Sequence, residues 1–362
     1  MRVPLKPAIQ SLRLEDLEAD LLAHSEPKYR AKQVTDWLYK KRAESVETMT
    51  NLPQPLRARL SEEFAFEKLE QVRLLGSEDT TRKFLFRLRD GNLIESVLIP
   101  ASPALYSERS DRLTMCVSTQ VGCAYGCKFC ASGLDGWTRN LEASEIVAQI
   151  IEVERASGER IDNIVFMGMG EPLANFDNLM RALQIINAHW GLEIGARHIT
   201  ISTSGLAPQI KQLALQPTQF RLAISLHGAT DEVRSQIMPV NRKYNLATLL
   251  EACEFYIARK RRVMFEYILI AGVNDTDEQA RELAKHCARL SAKVNLIPYN
   301  TVEGLEWSRP SRTRQERFLA ILRERGAFAT LRREKGHDIA AACGQLRLQT
   351  KRDQPVASAA AS

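Results

Sequence analysis

Three cysteines, Cys123, Cys127 and Cys130, stand at C-x3-C-x2-C spacing within Cys116-Val-Ser-Thr-Gln-Val-Gly-Cys123-Ala-Tyr-Gly-Cys127-Lys-Phe-Cys130. A loop this tight can bring three thiolates around one metal centre. A [4Fe–4S] cluster normally takes four cysteines. No fourth follows in the loop, so one iron would be left to chelate an external ligand. Zinc is the competing reading, held by three cysteines plus a histidine or by four cysteines. Zinc sites usually come as two C-x2-C pairs or as C-x2-C with an H-x3-H partner, and neither follows here. The spacing favours the cluster, with a zinc completed by a distant residue as the alternative.

From Leu113 to about Asn300 short apolar strands alternate with helical segments, and these must position the loop. The strands are Thr114–Thr119, Asn163–Met169, His198–Thr203, Arg221–Leu226, Val263–Ile270 and Lys293–Pro298. Helices lie between them, among them Glu142–Ala156, Asp177–His189, Leu246–Arg259 and Glu278–Arg289. Repeated β-α units imply a parallel sheet, and right-handed crossovers would curl it into a partial TIM-like barrel. A doubly wound open sheet is the alternative. The strands lead in turn into the Cys loop, Gly168-Met-Gly170-Glu171-Pro, Ser202-Thr-Ser-Gly205, Ser225-Leu226-His227-Gly228, Gly272-Val-Asn274-Asp275 and Tyr299-Asn300. One such end alone is ordinary turn chemistry. Together, at the C-terminal ends of parallel strands, they describe one site.

The flanks divide the chain further. Residues 1–70 form a helical unit: Leu14, Leu17, Leu21 and Leu22 recur at helical spacing after Ser11, a candidate N-cap. Its second helix, opened by Pro27, interleaves Lys28, Arg30, Lys32, Lys40, Lys41 and Arg42 with Tyr29, Trp37 and Tyr39. Such a mixture can neutralise phosphates and stack on bases, or it can be a solvated face over core aromatics. Residues 71–112 hold a β-hairpin, turned at Asp90-Gly91, and a linker; residues 113–349 hold the partial barrel and a C-terminal Cys loop; 350–362 form a disordered Ala/Ser-rich tail. Glu95 lies on the second hairpin strand. Facing outward it is a surface carboxylate; facing the barrel it is a candidate proton acceptor.

The 362 residues are 44% hydrophobic and 26% charged, with a net charge of +6. That is a soluble globular composition, mildly basic, open to an anionic partner without requiring one. The N-terminus has no secretory h-region, and no run of about 18 apolar residues would span a membrane. Seven cysteines form no even disulfide framework and fit a reducing cytosol. Cys253 and Cys287 sit at apolar helical positions and read as packing. Cys116 alone reads as a small core residue, whereas Cys343, beside Gly344 and a run of alanines, reads as a reactive loop thiol.

The C-x3-C-x2-C loop resembles that of radical S-adenosylmethionine (SAM) enzymes. Combined with Cys116, Gly168-Met-Gly-Glu-Pro and Ala341-Ala-Cys343-Gly-Gln-Leu, it resembles the RlmN/Cfr family of radical SAM RNA adenine methyltransferases. The likeness runs from about residue 27 to 349, and Pro27-Lys-Tyr-Arg-Ala-Lys-Gln-Val-Thr-Asp-Trp-Leu-Tyr resembles that family's N-terminal RNA-binding unit. The resemblance implies one [4Fe–4S] cluster on Cys123, Cys127 and Cys130, and two SAM molecules per turnover. One SAM methylates the sulfur of Cys343. The second, cleaved reductively, yields a radical that takes hydrogen from the S-methyl group, and the resulting carbon radical adds to the adenine ring. Release of the tethered RNA then needs the ring proton removed, by Glu95 or Cys116, and attack by Cys116, leaving a Cys116–Cys343 disulfide.

The same resemblance places Gly170 and Glu171 at the amino group of SAM. Ser202, Ser225, Leu226, His227 and Asn300 fall at its ribose, carboxylate or adenine. His227 alone would read as a satisfied core histidine. Phe129 would shield the cluster from water. The implied substrates are 23S rRNA near the peptidyl transferase centre, and tRNA at the adenosine 3′ to the anticodon, each methylated at C2. The implied enzyme is a cytoplasmic monomer with an external one-electron donor and no membrane. The alternatives are C8 methylation on the Cfr-like branch and a non-catalytic, metal-bearing RNA-binding protein. Basic runs at Lys28–Arg42, Arg259–Arg262, Arg309–Arg317 and Arg332–Lys335 are candidates for a phosphate-binding rim.

Overall fold

Short apolar runs bounded by glycine and polar turns give a 10-stranded sheet, and the helices between them cover it. The computed structural model describes residues 6–101, 112–134, 136–260, 262–332, 335–336, 338–342 and 344–346. Most of the linker, the tail and Cys343 lie outside the described residues.

The helical unit contains α1 (Leu14–Ala23), α2 (Tyr29–Thr35) and α3 (Gln54–Glu63), with α2 running into a π-helical turn at Asp36–Lys40. Leu17 and Leu21 are buried at the predicted apolar spacing, whereas Leu22 is exposed; Ala31, Val34, Leu38, Leu56 and Leu60 are buried with them. Ser11 is not the cap of α1. Arg13 holds that place, its backbone N–H donating to Asp16. The Ser11 hydroxyl instead accepts from the backbone N–H of Ser144, at 3.1 Å, tying the helical unit to the barrel. The aromatics of the second helix divide. Tyr39 is core, its hydroxyl bonded to the Gln10 carbonyl. Trp37 lies under the Lys41 ammonium, and Tyr29 is exposed.

Three antiparallel strands follow: β1 (Glu70–Gly76), β2 (Arg82–Arg87) and β3 (Leu93–Pro100). The β2–β3 turn is at Asp90-Gly91, where Gly91 takes the left-handed φ of +84° that the turn demands. The expected hairpin is therefore a three-stranded meander. β1 escapes recognition because most of its side chains are exposed and show no apolar alternation.

β3 pairs with β4 (Leu113–Cys116), the first parallel strand. Between it and the next lie β5 (Gln120–Gly122) and β6 (Trp137–Asn140), an antiparallel clasp at the two ends of the Cys loop. After α4 (Ala143–Ser157), the chain continues through β7 (Asn163–Phe166), α5 (Phe176–Asn187), β8 (Ile199–Thr203), α6 (Ala207–Ala214), β9 (Arg221–Ser225), α7 (Asp231–Ile237) and α8 (Leu246–Ile257). It finishes with β10 (Val263–Leu269), α9 (Asp277–Leu290), β11 (Lys293–Pro298), α10 (Arg312–Glu324) and β12 (Ala329–Leu331). From β4 onward the main-sheet neighbours are sequential and parallel: β4-β7-β8-β9-β10-β11-β12. A doubly wound sheet reverses its strand order at a switch point, and this order never reverses. Successive right-handed crossovers all step the same way and put the helices on one side, so the sheet is the expected partial barrel. Between β9 and β10 the chain carries α7 in addition to the expected α8. Cys253 and Cys287 are buried on α8 and α9, and burial pushes both thiols up to about 12, as packing residues require.

Candidate active site

The strand ends meet around a cavity of roughly 900 Å³ of non-atom space, part of it open to solvent. Cys123, Cys127 and Cys130 form one wall, and Gly170, Glu171, Ser202, Ser225 and His227 are among the residues lining the rest. The Cys loop is shaped by backbone approach. Gly122 has φ +74°, and a Cβ there would lie 2.0 Å from the Gly136 carbonyl oxygen, which also accepts from the Cys123 N–H at 2.9 Å. The Lys128 N–H donates to the Ile237 carbonyl, docking the loop on the end of α7.

The donor set fits a cluster. The three thiols are free and open onto the cavity while sitting deep in protein, and burial raises all three, Cys123 to about 12. Among the described residues, the metal-capable groups gathered within 4.8 Å of one another consist of Asp20, His24 and Glu63. Those belong to the helical unit and share Arg59. The three thiols do not all lie within 4.8 Å of one another, whereas sulfurs on one tetrahedral zinc sit about 3.8 Å apart; the wider set suits a cluster presenting a separate iron to each. Phe129, buried in the loop, meets the His227 ring edge-on at 4.7 Å and closes the cavity behind the cysteines.

Glu171 is a buried carboxylate of the site. Its two carboxylate oxygens accept from the backbone N–H groups of Leu173 (3.0 Å) and Ser204 (2.7 Å), so the carboxylate is fixed across β7 and β8. Burial raises its pKa against those bonds, and an ammonium partner would favour the charged form. The glycines before it are required by contact. A Cβ on Gly168 would come 2.7 Å from Ser118 Oγ, and one on Gly170 (φ +99°) would come 2.5 Å from Gln120 Cβ. Glu171→Gln keeps the shape and removes the charge. It is expected to weaken SAM binding about 10- to 100-fold, the range for a charge-assisted hydrogen bond; calorimetric titration of the cluster-loaded protein checks this, and unchanged affinity would remove the role.

Ser202 and Ser225 face each other with hydroxyls 3.4 Å apart. His227 adopts φ +56°, a strained conformation for a non-glycine residue. Its Nδ1 accepts from the Ile268 N–H at 3.1 Å, which leaves the proton on Nε2. Burial, reinforced by Arg234, lowers its pKa to about 3, so the ring is a neutral donor. Leu226 and Asn300 do not line the cavity. Leu226 acts through its backbone, N–H to the Glu266 carbonyl and C=O to Arg234. Asn300 is buried just past β11, its Oδ1 held by Arg309.

Glu95 faces inward. Its side chain is 6% exposed and pairs with Lys83 at 3.1 Å. Directly opposed residues share a face of a sheet and alternate residues return to it. The pairs Leu85↔Glu95, Lys83↔Val97, Val97↔Cys116 and Cys116↔Val165 therefore put Glu95 and Cys116 on one face. That face continues to Met167, which lines the cavity. Cys116 is buried on it. The C-terminal segment returns to the same place. Gly344 lines the cavity and its carbonyl accepts from the Ala131 N–H at 2.8 Å; the Leu346 carbonyl accepts from Ser132 Oγ at 2.8 Å.

Two residues of the site escaped the sequence reading. Arg234 is fully buried, donating to the carbonyls of Leu226 and Ser204 and to Asn241 Oδ1. Glu266 lines the cavity from β10, with Oε1 accepting from Asn295.

Comparison with known proteins agrees with this geometry. Residues 117–285 match the Radical SAM superfamily, and residues 9–65 match the ribosomal RNA large subunit methyltransferase N-terminal domain. The "Probable dual-specificity RNA methyltransferase RlmN" of Akkermansia muciniphila is 54% identical over 97% of this chain and 98% of that one. The chain belongs to the RlmN family. A second RlmN relative, from Opitutus terrae, is 56% identical over 99% of this chain and 98% of its own. A radical SAM methyltransferase from Sphaerobacter thermophilus has the same fold, with a TM-score of 0.87 and 47% identity over 95% of this chain and 99% of that one. As an RlmN-family member the chain is a radical SAM RNA methyltransferase that works with a [4Fe–4S] cluster and SAM. That excludes the non-catalytic reading.

Proposed function

We propose that the enzyme methylates C2 of a specific adenosine in 23S rRNA and of the adenosine 3′ to the anticodon in tRNA. The cluster and SAM, when bound, supply the one-electron cleavage that starts the reaction, with the electron from an external donor. Cys123, Cys127 and Cys130 hold the cluster. Gly170, Glu171, Ser202, Ser225 and His227 place SAM, with Leu226 and Asn300 supporting that wall from outside the cavity. Cys343 carries the methyl group on its sulfur. Glu95 accepts the proton that leaves the ring carbon, its carboxylate held by Lys83 at 3.1 Å. Cys116 attacks the Cys343 sulfur, releases the RNA and leaves a disulfide for an external reductant to reopen. The observation that carries this reading is the return of residues 344–346 to the Cys loop, more than two hundred residues away in sequence.

The helical unit is the accessory RNA-binding domain in this reading. Lys40 and exposed Tyr29 are more available for RNA than Tyr39, which is core. The Arg309–Arg317 run is largely engaged within the protein, since Arg314 and Arg317 both pair with Asp277. Among the described residues no helix is long and apolar enough to cross a membrane; the enzyme works as a cytoplasmic monomer in this proposal.

The test is to incubate the reconstituted enzyme and its Cys343→Ala variant with SAM, a reductant and either RNA, then digest the RNA for mass spectrometry. The expected product is 2-methyladenosine, absent with Cys343→Ala. 8-Methyladenosine would move the enzyme to the Cfr-like branch, and full activity of Cys343→Ala would overturn the assignment of the methyl carrier.

A further inference from the structure

The β1–β3 meander lies outside the parallel barrel, and the functional reading uses it only for Glu95. Besides its contacts with α4, β6 and the helical unit, it makes a set that goes to the C-terminal loop. The Asp79 carboxylate accepts from the Gly336 N–H at 2.8 Å. The Ser77 hydroxyl donates to Asp338 at 2.5 Å. Lys83 Nζ donates to the Ala340 carbonyl at 3.2 Å while pairing with Glu95 at 3.1 Å. On the far side of position 343, Gly344 and Leu346 bond to the Cys loop, and Gln345 donates to the Thr301 carbonyl. Gly336, Asp338 and Ala340 on one side and residues 344–346 on the other are thus held by different parts of the fold.

We infer that the meander is a bracket for the 336–342 loop, and that Lys83 is a positioning residue joining that loop to the Glu95 carboxylate. The inference rests on the assignment of Cys343 and Glu95 above. An ammonium buried to 6% exposure is stable only with its charge paired and its protons bonded. Lys83 has one anionic partner and one carbonyl partner, on separate elements, and releasing either leaves a buried charge underbonded. The pair therefore couples the position of the proposed base to the position of the loop. A methionine stem fills the space of lysine but makes neither bond. An arginine can make both.

The experiment uses the cluster-loaded, full-length enzyme. Lys83→Met should leave cluster absorbance and SAM affinity unchanged while amide exchange across residues 336–346 speeds up. S-methylation of Cys343 with SAM alone should fall, and RNA methylation should fall further, by about 100-fold, as expected for a displaced reactive group. Lys83→Arg should restore most of both. Unchanged exchange and methylation in Lys83→Met would overturn the inference. Should that variant fail to fold, Asp79→Asn, on an exposed turn, decides the same question: the bracket requires faster exchange and slower S-methylation, and wild-type values overturn it. Cys343→Ala runs in parallel. If it stays active, the underlying assignment falls and the bracket is judged on exchange rates alone.

Discussion

Cys127→Ala is expected to abolish methyl transfer to RNA and to drop bound iron well below the about four atoms per chain of a cubane. The reason is local. Cys127 sits between the other two thiols in sequence, its pKa is raised by burial and by both neighbours, and Arg234 opposes that rise. An environment this unfavourable for a free thiolate is tolerable when iron takes the charge, and metal loading then releases protons. Cluster assembly should accordingly weaken as pH falls, because each ligand must shed a proton. Losing one of three protein ligands leaves the cluster two, with no spare cysteine on the loop. Iron analysis and visible absorbance after anaerobic reconstitution check this, and a variant that keeps a full cluster would remove Cys127 from the ligand set. Circular dichroism should show the fold retained, since the loop is also docked by the Lys128–Ile237 backbone bond.

Much of this site was legible in one dimension because its signals are local. Thiol spacing, glycine beside glutamate, and serine or histidine just past an apolar strand each survive being read alone, and the β-α rhythm places them at one end of the sheet. What escaped was set by tertiary cover. Lys83 lies in Arg-Lys-Phe-Leu-Phe-Arg, where a lysine opposite apolar neighbours reads as solvent-facing; it is buried instead, bonded to the Ala340 carbonyl from far along the chain. Arg234 on the short helix α7 has the look of a surface charge, yet it is fully enclosed by strand-end carbonyls. Glu266 interrupts an apolar strand and points into the cavity, which no periodicity announces. β1 carries no pattern of its own and exists through its ladder with β2. Caps behave alike: Ser11 is a good helix cap by type, but the N–H it satisfies belongs to α4.

Cys116→Ala is expected to stop turnover after the RNA has become attached, trapping enzyme and RNA as a covalent adduct. Cys116 occupies the same sheet face as Glu95, two registers from it through Val97, and is buried. Burial of that kind suits a thiol that meets a single partner inside the protein and not solvent oxidants. Removing it leaves the cluster loop, the SAM contacts and Cys343 intact, so the steps before release proceed. The bond between the Cys343 sulfur and the RNA-bound carbon then lacks its nucleophile. A shifted band on a denaturing gel, sensitive to ribonuclease and absent in the Cys116→Ala/Cys343→Ala double variant, is the expected result. The two variants together also separate base from nucleophile. If Glu95→Gln accumulates the same adduct with Cys116 present, proton removal is the blocked step and belongs to Glu95. If Glu95→Gln turns over normally while Cys116→Ala traps, Cys116 removes the proton itself, and the buried Lys83–Glu95 pair serves the loop alone.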